Sequence, residues 1–193
     1  MAASKPMQLD VVGLGRLGAN IVRRLIRDGH TCGVFAVASE AVSALEKEGA
    51  TGACAVSDLV PKLVNPRAAW VMVPAGGVTD TTLGERAAHM EHGDRIIDGG
   101  HSYDRDDIRR ATSLSGRGIQ LVDGGTGGGV WGIERGYCLT IGGAAEVVDH
   151  LPPLFASIAP GVDAGTWTPG ASGNPIRPST ASCTVAPTAL GIL

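Results

Sequence analysis

No basic stripe runs through this chain. Its 16 lysines and arginines are scattered among 19 acidic residues, for a net charge of −3, so it offers no field suited to nucleic acid or to an anionic membrane. There is no apolar run long enough to span a bilayer, and Met1 to Gln8 holds one lysine with no apolar stretch of signal-peptide length behind it. A soluble, cytoplasmic protein with no nucleic-acid partner and no membrane partner is the expectation. Cysteine is sparse. Cys32, Cys54, Cys138 and Cys183 are far apart, lack metal-ligand spacing and lie mostly in apolar, strand-like surroundings, which predicts buried reduced thiols rather than disulfides. His89 and His92 stand three apart on an expected helix, but no third ligand accompanies them, so solvent-facing histidines and no metal site are expected. The length of 193 residues leaves room for one domain with a full core and no large second one.

What the chain does have is glycine placed at particular points. Val11-Val12-Gly13-Leu14-Gly15-Arg16-Leu17-Gly18 follows an apolar strand start and opens an amphipathic helix. In that context G-x-G-x-x-G reads as a dinucleotide-binding turn. Gly13 permits the tight turn, Gly15 lets the backbone approach a pyrophosphate, and Gly18 lets the helix pack close to its strand, with the first helical N–H groups facing the anion. Ile21, Val22, Leu25 and Ile26 form one helical stripe, Gly29 stands where a C-terminal cap belongs, and Thr31 begins the next strand.

Further strand-like runs are Leu9–Val12, Thr31–Ala36, Ala68–Val73, Arg95–Asp98, Ile119–Asp123 and Tyr137–Ile141. Helical patterns cover Leu17–Asp28, Glu40–Glu48, Asp58–Leu63, Thr79–Met90, Asp104–Leu114 and Ala145–Leu154. The alternation predicts an α/β fold of Rossmann type, a doubly wound and mostly parallel sheet covered by helices. After Val73, Asp98 and Asp123 the chain runs into Pro74-Ala75-Gly76-Gly77, Gly99-Gly100-His101-Ser102 and Gly124-Gly125-Thr126-Gly127-Gly128-Gly129. Glycine thus gathers at the carboxyl edge of the sheet, where ligands bind in such folds. From about Thr166 the periodicity stops, and no helix or strand signal follows.

Three strings are more specific than the fingerprint. Asp98-Gly99-Gly100-His101-Ser102-Tyr103, Gly125-Thr126-Gly127-Gly128-Gly129-Val130-Trp131-Gly132 and Glu134-Arg135-Gly136-Tyr137-Cys138-Leu139 resemble the decarboxylating 6-phosphogluconate dehydrogenases, nearest to their short bacterial subgroup. The likeness runs from about Met7 to Gly170. It implies an oxidoreductase of the pentose phosphate pathway that uses NAD or NADP, takes hydride from C3 of 6-phosphogluconate and releases carbon dioxide to give ribulose 5-phosphate. By the same resemblance, Gly13, Leu14, Gly15, Arg16, Leu17 and Gly18 cradle the pyrophosphate. Pro74, Ala75 and Gly76 line the nicotinamide side, His101 touches cofactor and substrate, and Gly127, Gly128 and Gly129 hold the sugar acid. The implied division is a tail over 1–6, an NAD(P)-binding domain over 7–170 and an irregular tail over 171–193.

The chain departs from the family pattern in several places. The family has Asn where His101 stands, and Ser-Gly-Gly where Gly127-Gly128-Gly129 stands, so one amide and one hydroxyl are exchanged or lost. At the end of the second expected strand, Ala36-Val37-Ala38-Ser39 supplies neither the acidic residue that would read a ribose 2′-hydroxyl nor the arginine that would read a 2′-phosphate. Short bacterial relatives tend to carry Asp there, which tilts the expectation to NAD. The family's catalytic Lys and Glu follow an H-C-G-P-x-G-A-G-H-F motif that does not appear, and neither does the all-helical domain that makes the homo-oligomer. Regrouping the codons of Ile176–Leu193 by one base, with wobble positions free, gives a reading that ends H-C-G-P-N-G-A-G-H-F. A frameshift near Pro175 is therefore expected, and with it a chain that is inactive alone. The alternatives are a non-catalytic NAD(P)-binding module and a related β-hydroxyacid dehydrogenase. The V-W-G and E-R-G-Y-C-L strings favour the sugar-acid branch over the latter.

Overall fold

In the computed structural model, residues 6–59, 63–160 and 182–184 are described. Their strands form one sheet: β1 (Gln8–Val12), β2 (Thr31–Phe35), β3 (Thr51–Gly52), β4 (Ala68–Val71), β5 (Arg95–Asp98), β6 (Gln120–Gly127), β7 (Cys138–Gly142) and β8 (Ser182–Thr184). The order is β3-β2-β1-β4-β5-β6-β7-β8, and every neighbouring pair is parallel except β6 with β7. Because β1 is flanked by β2 on one side and β4 on the other, the winding reverses there. A crevice opens outside the carboxyl ends of β1 and β4, as such reversals require.

Period-2 alternation explains why both faces are covered. In β4, Ala68 and Trp70 point to one layer with Val11, Ile97 and Val122, while Ala69 and Val71 point to the other with Ile96 and Leu121. The first layer is closed by α1 (Arg16–Arg27) and α7 (Pro152–Ile158), and the second by α3 (Gly77–Ala88) and α4 (Asp104–Ser115). Trp70 meets Phe155 of α7 edge to face at 6.1 Å. α1 buries Ile21, Val22 and Leu25 completely and ends at Gly29, whose φ of 87° allows Gly29 N–H to reach Ile26 O and His30 N–H to reach Leu25 O, each at 3.0 Å. The remaining helices are α2 (Ser39–Glu46), α5 (Gly132–Arg135) and α6 (Ala145–Val148).

Three polar devices lock these layers. Arg24 of α1 donates to the carbonyls of Ser157, Ile133 and Ala159, each at 3.1 Å, which ties α1 to α5 and α7. His30 accepts from Met7 N–H at 3.0 Å through Nδ1, so its Nε2 carries the proton shared with Ser157 Oγ at 2.9 Å. Burial pushes the His30 pKa down. On the other face, the carboxylate of Asp10 in β1 pairs with Arg86 of α3, both shut off from solvent. A Cβ on Gly33 would overlap Asp10, so glycine in β2 makes room for a buried charge in β1.

The structure corrects several sequence expectations. The helix read over Ala145–Leu154 is two helices, because Pro152 and Pro153 lack the N–H groups that would continue α6 and start α7 instead. Of the helix read over Asp58–Leu63, the described residues show only a 3-10 turn at Val56–Asp58, closed by Asp58 accepting from Ala55 N–H at 3.1 Å; residues 60–62 lie outside the described residues. β6 does not stop at Asp123. Its parallel ladder with β5 ends there, and antiparallel pairing with β7 carries Gly124–Gly127 onward as strand. Of the three cysteines whose side chains are described, Cys32 is buried and Cys54 and Cys138 are exposed, all three as free thiols, because Cys138 faces outward on β7 and Cys54 lies in a loop; the side chain of Cys183 is outside the described residues. Three residues of the C-terminal stretch, Ser182–Thr184, pair as β8 with β7; the rest of 161–193 is outside the described residues. His89 and His92 are exposed. Among the described residues no helix is long and apolar enough to cross a membrane.

Candidate functional site

The turn after β1 is built by mutual exclusion of side chains. Gly13 adopts a φ of 98°, and a Cβ there would overlap the Met72 carbonyl at the end of β4; a Cβ on Gly18 would overlap the Gly13 carbonyl. Gly13 N–H donates to Phe35 O at 2.9 Å, so the turn is clamped between its two neighbouring strands. Gly15 differs from both. Its backbone is extended, with φ −62° and ψ −178° at the N-cap of α1, and nothing lies within 4 Å of where its Cβ would stand. The protein does not need that space for packing. No side chain caps α1 and its first turn has no acidic residue, so the N–H groups without intrahelical acceptors and the positive pole of the helix face the same opening. This arrangement fits a pyrophosphate.

A cleft of about 750 Å³ extends from this turn, a size typical of small-molecule sites. One wall is Leu14, Leu17, Phe35, Ala36, Val37, Ala38 and Ala41, and the other is Met72, Val73, Pro74, Val78, Thr82 and Glu85, with Gly99 and Gly100 at the rim. Thus Gly13, Leu14, Gly15, Leu17 and Pro74 of the expected site line one cleft. Gly18 lies beneath it against Gly13, and the exposed Arg16 stands at the first position of α1 outside the lining. Ala75 and Gly76 lead into α3 just beyond the lining. Gly76 adopts a φ of 105°, and Thr79 Oγ1 donates to Pro74 O at 2.9 Å to fold this loop back.

The loop after β5 is held by charge. Asp98, buried at the strand end, accepts from Gly100 N–H at 2.8 Å, from Ser102 Oγ at 2.8 Å and from Arg110 Nη1 at 3.3 Å. Arg110 also donates to Asp107 at 3.0 Å, to Asp80 at 2.7 Å and to Gly76 O at 3.3 Å. One guanidinium therefore joins the loop after β4 to the loop after β5. Asp107 and Asp123 crowd the same charge. Burial, reinforced by the negative charge of Asp98, raises Asp107 to about 7 and raises Asp123 above the usual carboxylate range.

His101 is exposed, with a φ of 55°, and its Nε2 lies 3.2 Å from Thr126 O. A carbonyl can only accept, so Nε2 bears the proton and Nδ1 is left as an acceptor. His101 is beside the cleft, not in its lining. Gly127 ends β6, and Gly128 and Gly129 follow with φ of 145° and 53°. A Cβ at 128 would press on Tyr137 at 3.0 Å, whereas one at 127 would meet Cys138 only at 4.0 Å. The lost serine of the expected pattern is thus sterically admissible at 127. Sequence reading missed the Asp98–Arg110 network and the α3 stripe of Val78, Thr82 and Glu85. Signals for both exist: Asp107 and Arg110 are three apart on one helix, and the stripe repeats at i, i+4 and i+7.

Comparison with known proteins gives a consistent result. Residues 8–167 match the family described as the NAD binding domain of 6-phosphogluconate dehydrogenase. The NAD(+)-dependent, decarboxylating 6-phosphogluconate dehydrogenase of Haloferax volcanii is 40% identical over 157 residues, 81% of this chain and 52% of the relative. A decarboxylating 6-phosphogluconate dehydrogenase of Saccharomyces cerevisiae is 36% identical over 156 residues, 78% of this chain and 32% of the relative. The chain therefore spans about half of the first relative and about a third of the second. Among solved structures, the Plasmodium falciparum 6-phosphogluconate dehydrogenase, described in apo form and with NADP+ and substrate, shares the fold with a TM-score of 0.76 at 23% identity, over 82% of this chain and 35% of that one. A Mycobacterium tuberculosis 3-hydroxyisobutyrate dehydrogenase shares it with a TM-score of 0.74 at 20% identity, over 80% and 52%. Matched over most of its length, the chain belongs to the family of the NAD binding domain of 6-phosphogluconate dehydrogenase.

Proposed function

We propose that this chain is the cofactor-binding part of an NAD(P)-dependent, decarboxylating 6-phosphogluconate dehydrogenase acting in the cytoplasm. The observation that carries the reading is the Gly15 cradle, open space at an uncapped helix N-terminus that the protein's own packing does not use. Gly13, Leu14, Gly15, Arg16, Leu17 and Gly18 hold the pyrophosphate, Pro74, Ala75 and Gly76 flank the nicotinamide, and His101 lies between cofactor and substrate. Gly127, Gly128 and Gly129 offer backbone groups to the sugar acid. A bound dinucleotide would supply the hydride acceptor for C3 of 6-phosphogluconate, the oxidation that would let carbon dioxide leave to give ribulose 5-phosphate. The residues of this chain bind and orient; the family's proton-transfer Lys and Glu, and its homo-oligomer contacts, belong to the helical domain. The Arg110 bridge keeps the two loops facing the nicotinamide at a fixed separation. His101 offers Nδ1 as an acceptor where the family presents an amide, so substrate orientation is altered, at a cost on the order of 1–3 kcal/mol for each exchanged hydrogen bond.

Isothermal titration with NAD+, ADP-ribose and adenosine tests this reading. NAD+ and ADP-ribose, which carry the pyrophosphate, are expected to bind, and adenosine about 100-fold more weakly or not at all. Equal binding of all three, or of none at millimolar concentration, would contradict it.

A further inference from the structure

The end of the cleft remote from the pyrophosphate turn has a one-sided charge pattern. Val78, Thr82 and Glu85 face the cleft from α3, and at 1.5 Å per residue Glu85 stands roughly 10 Å along the helix from Val78, away from the loop after β4. Val56 connects this end to the end of β2. It packs with Phe35, and its carbonyl accepts from Arg86, the neighbour of Glu85, at 3.1 Å. Glu85 is exposed and is the one ionisable side chain among the described residues that line the cleft. Arg86 is turned to the opposite side, fully buried and engaged by Asp10 as well as by Val56. Across the cleft, Ala36, Val37 and Ala38 offer no side-chain donor, and Glu40 in the first turn of α2 adds negative charge just past them.

We infer that the cleft selects the dinucleotide whose adenosine ribose keeps a free 2′-hydroxyl, and that the specificity-determining residue is Glu85 on α3 rather than a residue at the end of β2. The inference rests on the cofactor reading above. A 2′-phosphate carries nearly two negative charges and meets a carboxylate here, with no lining cation to offset it. Discrimination then comes from repulsion of the wrong cofactor, not from a hydrogen bond to the right one.

Calorimetric titration of the chain with NAD+ and with NADP+, at low and at high salt, tests this. The unmodified chain is expected to bind NAD+ about 10-fold more tightly or better. E85Q narrows the ratio, E85K narrows it further, and E85D preserves it. Raising the salt narrows the ratio more in the unmodified chain than in E85Q, where Glu40 alone remains, because the selecting interaction is between charges. NADP+ binding equal to or tighter than that of NAD+, or a ratio unmoved by E85K, overturns the inference. Failure of both dinucleotides to bind overturns the cofactor reading, and this inference falls with it.

Discussion

The turn after β1 and the loop after β5 stand at the same edge of the sheet, and both are rich in glycine, yet they are held by different physics. The first is a backbone device. Gly13 and Gly18 interlock with the Met72 carbonyl and with each other, and no ionisable side chain takes part. The second is a side-chain device in which Asp98, Arg110, Asp107 and Ser102 fix the loop by charge-assisted hydrogen bonds. The first should fail when a methyl group is added and should ignore pH. The second should respond to charge as well as to volume, since a Cβ on Gly99 or Gly100 would also overlap Met72, Trp70 or the Val73 carbonyl.

The largest effect is expected at the backbone device. Gly13→Ala combines a φ of 98° with overlap against the Met72 carbonyl, and the two together cost roughly 2–5 kcal/mol. Chemical denaturation should show that loss with little dependence on pH; a change below about 0.5 kcal/mol would remove the interlocking argument. Next comes Asp98→Ala, which strands Gly100 N–H and Ser102 Oγ and leaves Arg110 to its other acceptors. It should cost about 2–3 kcal/mol in the same assay and weaken NAD+ binding, because the loops after β4 and β5 lose their tie. A stable variant with unchanged affinity would show that the network is ornamental.

Asp107 then separates the two devices by pH. Its folded-state value of about 7 is above the ordinary 3.8, so the folded protein holds a proton that the unfolded chain releases. The stability it contributes is present below about pH 3.8 and is lost as pH rises through about 7. His30 acts in the opposite direction. Its value is lowered by burial, so its contribution is present above the ordinary 6.5 and is lost as pH falls. The two slopes offset one another below about pH 6.5, so denaturation midpoints measured between pH 5 and 8 should fall most clearly between about pH 6.5 and 7 in the unmodified chain. Asp107→Asn should remove that fall and leave mainly the rise assigned to His30, and an unchanged fall would contradict the assignment. The smallest effect is expected for Gly127→Ser, since a Cβ there meets only Cys138 at 4.0 Å. Stability should stay within about 0.5 kcal/mol.

The same contrast explains what could be read from the sequence. The β1–turn–α1 unit is legible because each glycine acts on neighbours a few residues away, and Gly29 as a cap is likewise local. The parallel strands through Asp98 are legible because burial on both faces writes continuous apolar runs. The extension of β6 to Gly127 and the existence of β8 depend on pairing with β7; Tyr137–Ile141 reads as a strand, but no local pattern announces which strands it pairs with. Within the charge network, Arg110 reaches Asp98 and Gly76, 12 and 34 positions away, and the buried Asp10 in β1 has its counter-charge 76 residues away. Strand periodicity treats such an aspartate as an interruption. The break before α7 could have been read, since Pro152 and Pro153 stand in the sequence, but the apolar period across Ala145–Leu154 outweighed them.

Gly15 is where the central claim is most open to test, because it is the one glycine of the fingerprint that the fold does not require. In Gly15→Asp the new side chain enters open space on an extended backbone, caps α1 and adds negative charge at its N-terminus, all of which favour the folded state. The same carboxylate occupies and repels the pyrophosphate position. Thermal denaturation and NAD+ titration of this variant beside the unmodified chain should show a melting temperature unchanged or raised by a few degrees, together with NAD+ affinity weakened about 100-fold or lost. A variant that binds NAD+ as the unmodified chain does, or one that loses its fold, would contradict the account.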